Sequence, residues 1–170
     1  MKETFTFDKN GVTLLAKKVV DIIYRKPTAR AKVIHLAGDL GAGKTTFTKE
    51  LAALVGIEKN DVNSPTFILK KEYKADHPFF KKLIHIDAYR FDNPDEEKVL
   101  KLENDLKNHD TIIAIEWPMR MKPMKVDDEA MTVKSSLEGL SFYRETYNVS
   151  MWNEICPSVW ECGEVGSWFI

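Results

Sequence analysis

Cysteine is nearly missing from this chain. There are two in 170 residues, Cys156 and Cys162, with five residues between them near the end. That spacing is neither a redox C-x-x-C nor a zinc pair with partners, so reduced thiols are expected rather than a disulfide framework or a zinc module. Long apolar runs are missing too. None approaches the roughly 20 residues of a membrane span, and Met1–Asp8 lacks the apolar core of a signal peptide, so a cytoplasmic protein with no membrane attachment is expected. Charge of one sign is also absent. The formal net charge is −1, which leaves no electrostatic footprint for tight independent binding to nucleic acid. The run Lys70, Lys71, Lys74, Lys81 and Lys82 reads as a solvated surface. Arginine is scarce: Arg90, Arg120 and Arg144 are the only ones after residue 30. Phosphotransferases with lids often surround phosphates with several, because the guanidinium fork matches phosphate oxygens in pairs. No Asn-Lys-x-Asp occurs, so the guanine-selecting element of common GTPases is missing.

What is present is a complete phosphate loop. Residues 38–45 read Gly-Asp-Leu-Gly-Ala-Gly-Lys-Thr. Successive backbone N–H groups at a helix N-terminus meet closely packed phosphate charge with aligned dipoles. Glycines let the backbone approach the oxygens. On this pattern Gly38, Asp39, Leu40, Gly41, Ala42, Gly43, Lys44, Thr45 and Thr46 form a nucleotide cradle. Lys44 reaches the β- and γ-phosphates, and the Thr45 hydroxyl ligates Mg²⁺. The flanks agree. Residues 31–37 read as a buried strand, and Phe47, Leu51, Leu54 and Val55 have helical spacing up to a stop at Gly56.

The remaining pattern alternates strands and helices. Thr4–Phe7 suggests a strand and Val12–Tyr24 an amphipathic helix. Asn63–Thr66 is a turn leading to a strand at Phe67–Tyr73. Leu83–Asp87 and Asp110–Glu116 are buried strands, and Pro94 with Asp95, Glu96 and Glu97 suits a helix start. Residues 130–134 and 140–147 read as a hairpin around Glu138 and Gly139. The expected fold is α/β, a mainly parallel sheet flanked by helices with a C-terminal β-hairpin. Residues 1–148 form one domain on this reading, and 149–170 an extension with no clear period.

Asp87 and Glu116 each end an apolar strand. A carboxylate there is costly without a cation or donors. In a parallel sheet both strand ends open on the crevice where the phosphate loop lies, so the pair forms a Mg²⁺ constellation with Thr45. Helix capping or pairing with a surface lysine is the alternative for each. Thr66 could present its hydroxyl to the γ-phosphate or metal, or serve only its own turn. Trp117 could pack in the core, stack on a base or contact a partner. His85 would share a strand face with Asp87 and reads as a satisfied core histidine rather than a catalytic base.

Leu36–Phe47, Ser64–Phe67, His85–Arg90 and Ile115–Pro118, in this order and spacing, resemble the TsaE (YjeE) family. The resemblance covers residues 1 to about 120. It implies a P-loop NTPase-like ATPase of bacterial tRNA threonylcarbamoyladenosine synthesis, with ATP and Mg²⁺ as ligands. Its partners would be TsaB and TsaD, with tRNA contacted through the complex. It also implies that Asp87 fills the Walker-B-like role, that Glu116 and Thr45 serve Mg²⁺, and that Ser64–Thr66 forms a switch-like turn. Trp117 and Arg144 would lie close to the nucleotide. Catalysis would rest on Lys44, Asp87, Glu116 and Thr66. The chain departs from the family where Glu-Thr is often found in the first helix, here Gly11–Ala16, and at Glu50, where glycine is common. Trp152, Trp160 and Trp168 lie in the tail, which reads as a packed extension or a docking segment. Two rival readings are a stand-alone small-molecule kinase and a non-catalytic nucleotide-sensing module.

Overall fold

Val12, Leu15, Ala16, Val19 and Ile23 recur at helical spacing and are all buried. They form the inner stripe of α1 (Lys9–Arg25). The structure is a computed structural model describing residues 2–5, 9–26, 28–93, 98–121, 131–136 and 139–144. Around α1 stand β1 (Lys2–Phe5), β2 (Lys32–Gly38), α2 (Lys44–Leu54), β3 (Lys70–Lys74), β4 (Lys82–Asp87), β5 (Thr111–Glu116), β6 (Met131–Ser136) and β7 (Gly139–Arg144). The tail expectations at residues 149–170, including the cysteines and three tryptophans, lie outside the described residues.

The strands make one sheet in the order β1-β7-β6-β2-β5-β4-β3. The pairs β6/β2, β2/β5 and β5/β4 are parallel, while β3/β4, β6/β7 and β7/β1 are antiparallel. Five of the seven strands among the described residues therefore run the same way, and the expected mainly parallel sheet with its C-terminal hairpin is present. Residues 137–138 of that hairpin lie outside the described ones.

Strand alternation sorts the core into two layers. Ile34, Leu36, Leu83, Ile112, Ala114 and Val133 pack with α1 and with Phe47, Leu51 and Ala52 of α2. Val33, Ile84, Ile86, Ile113 and Ile115 point the other way, onto Phe91, Leu100, Leu102 and Met121. Helix α2 ends in a Schellman arrangement. Gly56 takes φ 80°, its N–H bonds Ala53 O, and the Ile57 N–H bonds Ala52 O.

One sequence expectation shifts. The strand expected from Phe67 begins only at Lys70. Pro65 O accepts the N–H groups of both Ile68 and Leu69, closing a turn, and Leu69 takes φ 64°. Phe67 and Ile68 are left 82% and 63% exposed. The helix start at Pro94–Glu97 lies outside the described residues; among the described residues between it and β5, residues 98–100 and Asp105–Lys107 form short 3-10 turns. Lys101 is left-handed at φ 49°, and Leu100 and Leu102 are both buried in the second layer, which an α-helix would not permit at that spacing. Asp105 holds this layer to the sheet edge through Lys82 at 2.8 Å and Lys70 at 3.2 Å. Burial alone would raise the Asp105 carboxyl, but hydrogen bonds from Lys82 and Lys70 outweigh it and hold the group below its ordinary value.

Two predictions come from β2. Burial pushes the His35 imidazole down from 6.5 to about 4. Between those values the unfolded chain binds more protons, so His35 stabilises fully above about pH 6.5 and less as pH falls toward 4, by on the order of 3 kcal/mol in all. Urea unfolding at pH 7 and pH 5 should show this loss, and His35→Leu should flatten it; an unchanged pH slope in the variant contradicts the assignment. Gly38 has φ 144°, and a Cβ there would lie 2.1 Å from Ser135 O on β6. Gly38→Ala should therefore destabilise the fold by about 2–4 kcal/mol in the same assay, and wild-type stability would contradict the close approach.

Candidate functional site

The C-terminal ends of β2, β4 and β5 converge with the N-terminus of α2. In the connecting loop Gly38, Gly41 and Gly43 take φ of 144°, 77° and 90°. Gly43 caps α2 with no side-chain hydrogen bond, so the helix opens without a competing side-chain acceptor. That is an N-terminus arranged for an anion. A Cβ at Gly41 would meet nothing within 4 Å, so its glycine is required by φ rather than by space. Ala42 is buried and its N–H bonds Asp39 O, which closes the turn. Asp39, Leu40 and Thr46 are exposed.

Lys44 is 5% exposed. Its Nζ donates to Gly38 O at 2.8 Å and Asp39 O at 2.7 Å, and stands 4.2 Å from the centre of the Trp117 ring. The ammonium thus lies over the loop, held by carbonyls. Trp117 takes the left-handed φ 56° and its N–H bonds Leu36 O. The strand exit therefore turns the indole toward the phosphate loop, with Tyr89 5.2 Å away.

Asp87 and Glu116 are register partners at the ends of β4 and β5, each 3% exposed. The Thr45 hydroxyl donates to Glu116 Oε1 at 2.8 Å, which joins the first turn of α2 to the end of β5. Asp87 Oδ2 accepts from Ser64 at 2.7 Å and Thr66 at 2.6 Å, and Oδ1 accepts the Tyr89 N–H at 3.0 Å. Neither carboxylate caps a helix or meets a surface lysine in these contacts. Each is kept in a buried position by small donors that a cation could replace or share. The turn carrying Ser64 and Thr66 hangs from the Asp87 side chain, and the Asp87 N–H also bonds Leu69 O.

Lys44, Thr45, Thr66, Asp87, Glu116 and Trp117 are therefore brought to one end of the sheet with the glycine loop. Arg144 is placed differently. It pairs with Met131, which pairs with Ile34, four residues before Gly38 and so about 13 Å along the strand from the loop. In the first helix Thr13 donates to Glu50 Oε2 at 2.9 Å, and Lys59 reaches Glu50 Oε1 at 2.5 Å. Sequence reasoning found the burial of His85 but not its partner. It is fully buried, and its Nε2 lies 2.9 Å from Glu116 Oε1. The available signal was its position two residues before Asp87 on the same face.

Comparison with known proteins gives a consistent result. The family model described as "Threonylcarbamoyl adenosine biosynthesis protein TsaE" matches residues 8–144. The tRNA threonylcarbamoyladenosine biosynthesis protein TsaE of Haemophilus influenzae is 36% identical over 110 residues, 65% of this chain and 66% of that protein, just under two thirds of its length. The protein of the same name from Aquifex aeolicus is 32% identical over 146 residues, 85% of this chain and 98% of that one. The Bacillus subtilis protein of that name is 49% identical over a shorter stretch of 65 residues, 38% of this chain and 39% of that one. The crystal structure of Bacillus subtilis YdiB superposes with a TM-score of 0.59 at 23% identity, covering 94% of this chain and 93% of that one, a likeness of fold. With the family match spanning the phosphate loop, both strand-end carboxylates and the β6–β7 hairpin, the chain belongs to the TsaE family.

Proposed function

We propose that this chain is an ATP-binding and ATP-hydrolysing subunit for threonylcarbamoyladenosine modification of tRNA. On this reading it works in the cytoplasm with TsaB and TsaD and meets tRNA through them. Residues 1–148 would form the ATPase domain and 149–170 an extension to it. The names of its relatives support the process, and the near-zero net charge suits a subunit that leaves most tRNA contact to its partners. No helix among the described residues is long and apolar enough to cross a membrane. The observation that carries the ATPase reading is the Thr45 hydroxyl on Glu116 beside Asp87, directly below an α2 N-terminus with no side-chain cap.

The residues present fit Mg²⁺ with a nucleotide. Among the described residues no group of three or more His, Cys, Asp or Glu converges on a metal position, so an all-protein cage is not the design. Mg²⁺ commonly takes one or two protein oxygens and fills its octahedron with water and phosphate. Thr45, Glu116 and Asp87 supply that kind of partial seat. When bound, Mg²⁺ would neutralise charge on the β- and γ-phosphates. The amides from Gly41 to Thr46 would cradle the phosphates. Lys44 would exchange the Gly38 and Asp39 carbonyls for phosphate oxygens and stabilise charge that develops during transfer. Thr66, held 2.6 Å from Asp87, would orient the attacking water together with that carboxylate. Trp117 would flank the nucleotide.

ATPase assays with and without TsaB and TsaD test the reading, with stimulation by the partners expected. Lys44→Ala should weaken ATP binding by about 30-fold or more. Asp87→Ala and Glu116→Ala should lower hydrolysis by about 100-fold while changing affinity far less. Wild-type rates in both carboxylate variants would contradict the mechanism. A phosphorylated metabolite formed without partners would replace it with a kinase. ATP-dependent partner binding without phosphate release would replace it with a nucleotide sensor.

A further inference from the structure

Glu116 is gripped from two sides. Its Oε1 takes the Thr45 hydroxyl at 2.8 Å and lies 2.9 Å from His85 Nε2. His85 is 0% exposed, and among the described residues its Nδ1 has no hydrogen-bond partner. A buried ring nitrogen with no partner is unfavourable. A histidine kept only to fill this core position would be better replaced by an apolar residue, as at its neighbours Leu83 and Ile84, both 0% exposed. The register explains the reach: His85 pairs with Ala114, and Glu116 is two residues further along β5 on the same face. The small Ala114 side chain leaves the imidazole a diagonal path to the carboxylate.

We propose that His85 is the positioning residue for Glu116; this rests on the Mg²⁺-nucleotide reading given above. A carboxylate oxygen only accepts, so Nε2 carries the proton and donates. The two donors on Oε1 then differ in kind. Thr45 belongs to the phosphate loop, and its hydroxyl could serve a metal through an oxygen lone pair while its O–H still points to Glu116. His85 comes from the sheet rather than from the phosphate loop, so its hold on Glu116 does not depend on what the loop binds. It keeps Oε1 fixed and leaves Oε2 as the oxygen offered to the site. Partners that orient a metal-binding carboxylate in this way typically change metal affinity or activity by about 10–100-fold when removed.

The test measures the Mg²⁺ dependence of binding of a non-hydrolysable ATP analogue by calorimetry on the full chain, with thermal unfolding of each ligand-free variant alongside. His85→Leu should raise the Mg²⁺ concentration for half-maximal binding by about tenfold. His85→Gln, whose amide N–H reaches to the place of Nε2, should return most of that loss, and His85→Asn, too short to reach Glu116, should not. If the leucine variant does not fold, the difference between glutamine and asparagine decides. Loss of thermal stability with unchanged Mg²⁺ dependence overturns the proposal, as does equal behaviour of the glutamine and asparagine variants. Wild-type protein that binds no Mg²⁺-nucleotide would instead overturn the functional reading on which it rests.

Discussion

Two carboxylates lie side by side in places where water barely reaches them. Asp87 and Glu116 end adjacent parallel strands and are register partners, each 3% exposed. Taking a carboxylate out of water is expensive unless donors or a cation compensate. Here the compensation comes from hydrogen-bond partners: Thr45 and His85 on Glu116, and Ser64, Thr66 and the Tyr89 N–H on Asp87. These five donors come from four structural units. The first turn of α2, the turn at 64–69, the strand β4 and the turn after it are all tied to one acidic pair. The charge that must be satisfied therefore organises the end of the molecule.

The fold serves that pair in two ways. Parallel pairing of β2, β5 and β4 brings three strand ends to one edge, as open α/β sheets do where they bind ligands. The glycine loop then brings the N-terminus of α2 over the same edge. Gly38 passes so close to Ser135 that no side chain fits, and Gly41 and Gly43 adopt left-handed φ values. Positive potential from the helix end and negative charge from the carboxylates thus face one another across the loop. Lys44 folds back on the Gly38 and Asp39 carbonyls between them.

Much of this was legible in the sequence. The loop Gly38–Thr45 has a fixed backbone requirement, so its residues announce its shape. Asp87 and Glu116 stood out because a charged group closing an apolar strand has few explanations. Less legible were features set by packing. The Phe67–Tyr73 segment has strand composition, yet the Pro65 carbonyl captures two successive N–H groups and bends it until Lys70. At residues 100–102 the second core layer takes both Leu100 and Leu102, and Lys101 turns left-handed between them, which no helical or strand period announces. Thr13 donates to Glu50 on the neighbouring helix, a partner that the spacing of either helix alone does not reveal. His85 is a core residue as its pattern suggests, but the face of a strand position says nothing about a diagonal partner on the next strand, here Glu116.

The central claim is that the amides from Gly41 to Thr46, with the acidic pair beneath them, receive the phosphates of Mg²⁺-bound ATP. Amide chemical shifts of the labelled full chain, followed by nuclear magnetic resonance while Mg²⁺ and ATP are added to millimolar concentration, test this most directly. The account predicts that the largest shifts fall on Gly41, Gly43, Lys44, Thr45 and Thr46 and saturate together. A folded chain whose loop amides do not move, or whose shifts fall elsewhere on the surface, would contradict it.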